Sequence, residues 1–311
     1  MNPLAAILSE YPLMILDGGL ATELERFGCD LRDPLWSARV LVESPQLIKQ
    51  VHAAYFEAGA DCAITASYQA TFAGFAGRGI SQAEAADLMQ LSVRLAVEAR
   101  DEFWADPAKR VGRPKPIVAA SIGSYGAFLA NGAEYTGDFG VDEQELINFH
   151  RPRMAVLADT QADILACETI PCLLEAQALA HLLAEFPGHS AWISFSARDA
   201  AHTCHGERLA ECATWLHDYP QIAAIGVNCT APHFVPDLVG AARAVTSTPI
   251  VVYPNSGEQY RSVDNTWHGV TETNAYADQA RVWHARGAQV IGGCCRTTPA
   301  DIRAIASWAR G

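Results

Sequence analysis

The stretch Gln289-Val290-Ile291-Gly292-Gly293-Cys294-Cys295 joins a short apolar run to two glycines and a pair of cysteines. It follows a helix-like segment that ends at Arg286-Gly287-Ala288, so the order is helix, glycine stop, buried strand and two thiols. Neighbouring strand residues point to opposite faces, so both thiols reach one point only if the strand breaks there. We expect Gly292 and Gly293 to allow the break by adopting backbone angles that other residues avoid. The pattern predicts a metal or catalytic site, with buried small residues or a vicinal disulfide as the alternatives.

Eight apolar runs, each paired with a segment of helical periodicity, are spread along the 311 residues. The predicted strands lie at residues 13–16, 62–66, 117–121, 164–167, 191–195, 224–227, 250–253 and 289–291. The predicted helices lie at residues 20–27, 45–59, 81–103, 142–160, 173–185, 207–217, 234–245, 274–285 and 299–309. This alternation predicts an α/β fold, a (β/α)8 barrel of the TIM type that forms a single domain over residues 1–311. A doubly wound open sheet is the alternative, and it is disfavoured because no glycine-rich dinucleotide fingerprint follows the first strand.

The composition argues against several classes of function. Half of the residues are hydrophobic and the formal net charge is −13, which does not suit a surface for nucleic acid or anionic membrane. No apolar run approaches the roughly 18–20 residues that span a bilayer, and the first residues lack the basic flank of a signal peptide. The nine cysteines lie mostly in apolar surroundings, which suits a reducing compartment. We therefore expect a cytoplasmic protein whose partners are small molecules.

Polar and thiol side chains stand where the predicted strands end, which is where barrel enzymes carry their active sites. These positions are Asp17, residues 65–69, Glu168, Asn228, Cys229, Asn255, Cys294 and Cys295. Cys229 and the cysteine pair follow the sixth and eighth strands, and alternate strands contribute to the same interior layer. Three thiolates with one open position form a reasonable catalytic zinc sphere, whereas a structural site usually has four protein ligands. The alternative for Cys229 alone is an ordinary core cysteine.

Asp17 and Glu168 place acidic groups at the ends of otherwise apolar strands. A buried carboxylate costs several kcal/mol of desolvation unless it meets a cation, and a substrate ammonium would supply one. Helix capping or a salt bridge to an arginine is the alternative. The run His202-Thr203-Cys204-His205 also suggests metal ligands, but no partner pair lies near it in the sequence, so we expect no site there.

Six short motifs occur in order along the chain. They are Asp17-Gly18-Gly19, Thr65-Ala66-Ser67-Tyr68-Gln69-Ala70-Thr71, Cys167-Glu168-Thr169-Ile170-Pro171, Gly226-Val227-Asn228-Cys229, Tyr253-Pro254-Asn255-Ser256-Gly257-Glu258 and Gly292-Gly293-Cys294-Cys295-Arg296-Thr297. With these motifs the chain resembles the homocysteine S-methyltransferase family over nearly its whole length. The resemblance implies a barrel that binds a zinc ion through Cys229, Cys294 and Cys295, as its catalytic centre.

The same resemblance implies the reaction and the residues that bind the substrate. The expected activity is the transfer of a methyl group to the thiol of L-homocysteine, which forms methionine. Asp17 and Glu168 are expected to hold the amino group of homocysteine. Thr65 and Asn228, which stand at strand ends within two of the motifs, are the further substrate-binding candidates.

The expected methyl donor is a sulfonium compound, S-methylmethionine or S-adenosylmethionine. The chain has no spare length for folate or cobalamin modules, and it lacks a long C-terminal extension like that of the betaine-dependent members. Gln69 also stands where the resemblance places a tyrosine in those members. A free thiol has a pKa near 8.5, so only a few per cent is thiolate at neutral pH, and zinc binding would deprotonate it. A sulfonium donor needs no general acid, so catalysis is mostly positioning.

Residues 125–140 form a predicted loop that is longer than an ordinary connector, which makes it a candidate lid; residues 254–272 form a second one. Tyr125, Phe128 and Tyr135 in the first loop could contact the sulfonium by cation–π attraction or could simply pack. Two other functions stay open at this point: a barrel lyase or aldolase that uses a metal or a cysteine, and a non-enzymatic zinc store.

Overall fold

Eight parallel strands surround the centre of the computed structural model, which describes residues 2–29, 37–257, 259–261, 266–268 and 273–311. Numbered in chain order, and with a separate two-stranded hairpin included, the strands are β1 (Met14–Ile15), β2 (Cys62–Ile64), β3 (Ile117–Gly123), β4 (Ile164–Ile170), β5 (Ala191–Phe195), β6 (Ile222–Asn228), β7 (Ile250–Tyr253), β8 (Gln259–Arg261), β9 (Thr266–His268) and β10 (Ala288–Ile291). The sheet runs β1-β10-β7-β6-β5-β4-β3-β2, while β8 and β9 form a separate antiparallel hairpin. A bridge between Leu16 and Cys62 joins the two edge strands. The predicted barrel is therefore confirmed.

Helices form the outer layer between successive strands. They are α1 (Pro3–Glu10), α2 (Leu20–Arg26), α3 (Ser37–Glu43), α4 (Pro45–Ala58), α5 (Phe72–Ala76), α6 (Gln82–Ala105), α7 (Tyr125–Leu129), α8 (Glu143–Ala158), α9 (Leu173–Leu183), α10 (Leu209–His217), α11 (Val235–Arg243), α12 (Thr273–Ala285) and α13 (Pro299–Arg310). Capping boxes begin α6 at Ser81 and α8 at Asp142, because each side chain accepts from the backbone of the glutamate three residues on. Among the described residues, no helix is long and apolar enough to cross a membrane.

The hydrophobic core has two layers, one between strands and helices and one inside the barrel. The inner layer includes Trp192 of β5 together with Leu4 and Ile7 of α1. Ile117 and Ile164, the first residues of β3 and β4, belong to the same cluster, so α1 covers the amino-terminal end of the barrel. The α1 helix is not among the helices predicted from the sequence. With this end filled by apolar side chains, the opposite end is left for chemistry.

Two aspartates tie the amino-terminal ends of the strands together. Asp61 Oδ2 accepts a hydrogen bond of 2.9 Å from the Ile15 amide and also contacts Arg310. Asp163 Oδ2 accepts one of 2.8 Å from the Val118 amide. In Ala60-Asp61 and Ala162-Asp163 the aspartate stands just before a strand and its carboxylate accepts from the backbone of a neighbouring strand. These carboxylates stabilise the barrel at the end remote from the cysteines.

Both predicted loops contain described secondary structure. Within residues 125–140 the chain forms α7 and a 3-10 turn, Ala133–Tyr135, because the Ser124 hydroxyl caps α7 by accepting from the Ala127 amide at 3.2 Å. The predicted long loop therefore includes a short helix and a turn, and its role as a lid stays a prediction. Of the second loop, residues 258, 262–265 and 269–272 lie outside the described residues, and the remainder includes the β8–β9 hairpin.

Candidate metal centre

Three cysteine sulfurs meet at the carboxyl-terminal end of the barrel. The Cys229 and Cys295 Sγ atoms are 3.8 Å apart, and the Cys294 and Cys295 Sγ atoms are 4.0 Å apart. All three sulfurs lie within 4.8 Å of one another. Tetrahedral zinc with Zn–S bonds of about 2.3 Å requires sulfurs about 3.8 Å apart, so the spacing fits this metal. Among the described residues, no other set of three or more His, Cys, Asp or Glu side chains is close enough to share one metal ion.

Three non-glycine residues around this cluster have a left-handed backbone conformation. Cys229 has a φ of 50° and Thr169 a φ of 57°, and Arg296, directly after the cysteine pair, has a φ of 67°. Non-glycine residues with such angles are strained and concentrate at functional sites. The Cys229 amide donates to the Tyr253 carbonyl at 3.3 Å, so the turn out of β6 is held against the end of β7. With this backbone conformation, the Cys229 Sγ lies 3.8 Å from the Cys295 Sγ.

The two glycines before the cysteine pair are needed for close approach. Neither Gly292 nor Gly293 has a left-handed φ, so the expectation that they adopt unusual backbone angles is wrong. A Cβ on Gly292 would lie 2.5 Å from the Leu16 Cβ, and one on Gly293 would lie 2.3 Å from the Thr297 Oγ1. The chain thus passes tightly against the end of β1, and the Gly293 amide donates to the Asp17 carbonyl at 3.0 Å. This contact places Asp17 beside the cysteines.

Asp17 and Glu168 are buried carboxylates that form no ion pair within the described part of the chain. They are 2% and 7% exposed. Asp17 Oδ2 accepts from the Ile64 amide at 2.9 Å, and Glu168 accepts from the hydroxyls of Ser121 and Tyr253. Neither contact is a helix cap or a salt bridge, which were the alternatives left open by the sequence. Both groups are available for a cationic ligand.

Burial changes the protonation of both carboxylates. It raises the pKa of Asp17 well above its usual value, and the nearby charge of Glu168 adds to the rise. Burial also raises the pKa of Glu168 to about 7, against the opposing hydrogen bonds from Ser121 and Tyr253. A cation bound close to a buried carboxylate favours its charged form, so a cation near both groups would lower both pKa values.

Thr65 is linked to Glu168 through Ser121, which forms hydrogen bonds to both residues. Its hydroxyl is 2.7 Å from the Ser67 hydroxyl and accepts from the Ser121 amide at 3.0 Å. Ser121 is the residue whose side chain donates to Glu168. The structure therefore places Thr65 where it orients Ser121, and a direct contact with substrate stays a prediction.

Asn228 occupies a similar supporting position beside Glu168. Its Oδ1 accepts from the Thr169 amide at 2.7 Å and from the Ser194 hydroxyl at 2.8 Å. Its Nδ2 donates to the Thr169 hydroxyl at 2.8 Å. These bonds hold Thr169 in its left-handed conformation directly after Glu168. Binding of substrate by Asn228 stays a prediction as well.

Comparison with known proteins identifies the family to which the chain belongs. A family model described as homocysteine S-methyltransferase matches residues 14–309. The chain belongs to the homocysteine S-methyltransferase family. It is 59% identical over 310 residues to the homocysteine S-methyltransferase YbgG of Bacillus subtilis, covering 100% of this chain and 98% of the relative. It is 49% identical over 305 residues to a homocysteine S-methyltransferase of Escherichia coli, covering 98% and 97%.

The fold of the family is also seen in a solved structure. The metallated form of the homocysteine methyltransferase MmuM from Escherichia coli superimposes with a TM-score of 0.89 at 46% identity, covering 99% of this chain and 100% of that one. The predicted family, enzyme class and barrel are thus confirmed.

The aromatic residues after β3 divide into two groups in this family member. Tyr125 and Phe128 pack on Phe149 of α8, with ring centroids 4.8 Å and 5.1 Å apart, so they belong to the outer packing. Tyr135 instead reaches the cluster, since its hydroxyl oxygen is 3.6 Å from the Cys229 Sγ. Of the three aromatics predicted to contact a donor, Tyr135 alone has this placement.

Glu134, next to Tyr135, is a candidate that the sequence analysis does not single out. The Ser196 hydroxyl donates to its backbone carbonyl at 2.9 Å, which joins the turn to the end of β5. Its carboxylate atom Oε2 is buried and has no hydrogen-bond partner among the described residues. In the sequence, the only signal is an acidic residue beside an aromatic one within a candidate lid.

The histidine-rich run after β5 has ordinary contacts. His202 Nδ1 is 2.9 Å from Asp199 Oδ1, and His205 Nδ1 is 2.8 Å from Glu207 Oε1. Cys204 between them is buried. No metal-ligand cluster is found there in the part of the chain that the structure describes.

Proposed function

We propose that this chain transfers a methyl group from a sulfonium donor, S-methylmethionine or S-adenosylmethionine, to the thiol of L-homocysteine. The observation that carries the proposal is the set of three sulfurs at zinc-like spacing beside two buried carboxylates without a described cation. Homocysteine offers a thiol and an ammonium, and these two groups complement the two halves of the site. The names of the relatives support the same substrate.

We infer that Cys229, Cys294 and Cys295 would hold the metal and that the metal is zinc. Thiolates are soft ligands that select zinc over the hard cations calcium and magnesium. When bound, zinc would supply the acidity that keeps a substrate thiol deprotonated at neutral pH. Three protein ligands leave a fourth position open, which a catalytic site needs.

The residues of the chain position the reactants. Asp17 and Glu168 bind the ammonium of homocysteine, which fixes the distance between that ammonium and the attacking sulfur. The sulfur lone pair forms a bond to the donor methyl carbon, and the carbon–sulfonium bond breaks with its electron pair left on the donor sulfur. The thiol proton goes to solvent, and S-methylmethionine yields a second methionine. Since the sulfonium leaves as a neutral thioether, no side chain has to donate a proton.

The position of the lysines disfavours the alternative of a Schiff-base aldolase. Lys49, Lys109 and Lys115 are the lysines of the chain. Lys49 lies in α4 and pairs with Glu98 and Glu102 of α6, and Lys109 follows α6. None of the three stands at the carboxyl end of a strand, where barrel enzymes carry out their chemistry. All nine cysteines are unpaired, which supports a cytoplasmic location as part of the proposal.

The proposal is tested by supplying donors in turn. Zinc-loaded protein is incubated with L-homocysteine and either S-methylmethionine, S-adenosylmethionine or glycine betaine, and methionine is measured by mass spectrometry. We expect methionine from at least one sulfonium donor and none from betaine. The absence of methionine with both sulfonium donors would refute the proposed function.

A further inference from the structure

Glu134 is held firmly at the rim of the metal centre. It belongs to the 3-10 turn Ala133–Tyr135, and the hydroxyl of the next residue, Tyr135, is 3.6 Å from the Cys229 Sγ. A Cβ added to Gly126 of α7 would lie 2.4 Å from the Glu134 amide nitrogen, so the turn packs directly on α7. The Ser196 hydroxyl fixes the Glu134 carbonyl from the end of β5. The backbone is therefore anchored from two sides, and the side chain is presented from a defined position.

The carboxylate of Glu134 is left without a partner in this position. Its side chain is half-buried, and its Oε2 atom is wholly buried with no hydrogen bond among the described residues. It forms no ion pair within that part of the chain. Burial raises the pKa of Glu134, and the neighbouring Cys229 contributes to the rise. An unpaired buried carboxylate costs free energy in the ligand-free protein, which is typical of groups kept for binding.

The unsatisfied atom defines the chemistry of the missing partner. Two other buried acceptor oxygens at this end of the barrel, Gln69 Oε1 and Asn255 Oδ1, also lack partners, but both are neutral. Glu134 Oε2 is an acceptor without a hydrogen-bond donor, and it belongs to a group that is negatively charged when ionised. The ligand group that suits it best is therefore a cation that carries N–H groups. A sulfonium has no N–H group. The α-ammonium of a sulfonium amino acid has three.

In the proposed function, the ammonium of homocysteine is already bound by two other carboxylates, Asp17 and Glu168. Asp17 and Glu168 lie at the ends of β1 and β4, whereas Glu134 reaches the cluster from the turn after β3, next to Cys229. A third carboxylate for the same ammonium would add repulsion between like charges without a further cation. Two amino-acid substrates need two ammonium sites, and Glu134 supplies the second.

We propose that Glu134 binds the α-ammonium of the methyl donor and thereby selects a sulfonium that is an amino acid. This inference rests on the proposed function and identifies how its second substrate is recognised. S-Methylmethionine and S-adenosylmethionine both carry the group. Simple trialkyl sulfonium compounds that lack an amino group are predicted to be poor donors.

The test compares two donors in Glu134→Gln, which removes the charge but keeps the size. The donors are S-methylmethionine and its deamino analogue, (3-carboxypropyl)dimethylsulfonium, with homocysteine held at saturation. For Glu134→Gln we expect kcat/KM for S-methylmethionine to fall about 10- to 150-fold, the effect of one lost charge-assisted hydrogen bond. On the deamino donor, the variant and the wild type should have equal kcat/KM. Asp138→Asn, an exposed carboxylate of the same loop, is the matched control and should change neither value.

Further readouts separate recognition from a structural role. The KM for homocysteine and the zinc content of Glu134→Gln should equal those of the wild type. An equal loss on both donors, no loss on either, or an increase in the homocysteine KM instead would overturn the role of Glu134. Wild-type protein that uses the deamino donor as well as S-methylmethionine would overturn it without any variant. Absence of wild-type turnover with every sulfonium donor would refute the proposed function, and the inference with it.

Discussion

Replacing Glu168 by Gln, or Asp17 by Asn, should weaken homocysteine binding without loss of the metal. Both carboxylates are buried, so their attraction to an ammonium is screened little by salt. A charge-assisted contact of this kind contributes about 1.5–3 kcal/mol, which corresponds to roughly a 10- to 150-fold rise in the dissociation constant. In Glu168→Gln the Ser121 hydroxyl can still donate to the side-chain oxygen, so the side chain should keep its place. The effect is then due to the lost charge.

The assay is titration calorimetry of homocysteine into zinc-loaded protein, with zinc measured on the same samples. Zinc should stay near one per chain in both variants, because neither carboxylate is among the clustered metal ligands. Glu211→Gln, an exposed glutamate of α10, is the control and should bind homocysteine like the wild type. The effects of Asp17→Asn and Glu168→Gln should not add, since one ammonium contacts both groups. An unchanged dissociation constant in both variants would refute the ammonium site.

Three further predictions concern pH, metal and oxidation. Because the pKa of Glu168 is raised to about 7, the group is protonated below that pH, so homocysteine affinity should fall as the pH drops from 8 to 6; a pH dependence that Glu168→Gln leaves intact would contradict this. Cys295→Ala should lose tight zinc binding while its circular dichroism stays native, since the barrel has its own core; one tight zinc per variant chain would show that Cys295 is not a ligand. Zinc-free protein aged in air should join Cys229 to one of the adjacent cysteines, with its 3.8 Å neighbour Cys295 the expected partner, because a disulfide between adjacent residues is strained. Peptide mapping that finds three free thiols, or activity that fails to return after reductant and zinc, would rule this out.

The sequence predicts the barrel well because its strands are buried on both faces. Such strands are continuous apolar runs, and helices between them begin at recognisable capping residues such as Ser81 and Asp142. The short helices α1 and α7 are not predicted because their positions depend on tertiary contacts. Leu4 of α1 is buried only because the barrel end provides a surface for it.

The candidate site is predicted in part. Strand ends and sulfur chemistry are visible in the sequence, so the convergence of Cys229 with the cysteine pair can be expected before the structure is known. The sequence does not show why a glycine is needed at position 292, because the close approach of Gly292 to Leu16 is a contact between distant parts of the chain. The unpaired oxygen of Glu134 is likewise a property of three-dimensional surroundings, which no local pattern encodes.

The central claim is that the cysteine site supports methyl transfer from a sulfonium donor to homocysteine, and following the methyl group itself tests this claim most directly. Homocysteine with a heavy-carbon backbone is incubated with S-methylmethionine that carries deuterated S-methyl groups, using zinc-loaded protein and Cys295→Ala in parallel. The product methionine is analysed by mass spectrometry. We predict methionine with both labels from the zinc-loaded protein, one for each donor consumed, and none from the variant. Doubly labelled methionine formed equally by Cys295→Ala would contradict the account, as would its absence with the zinc-loaded protein.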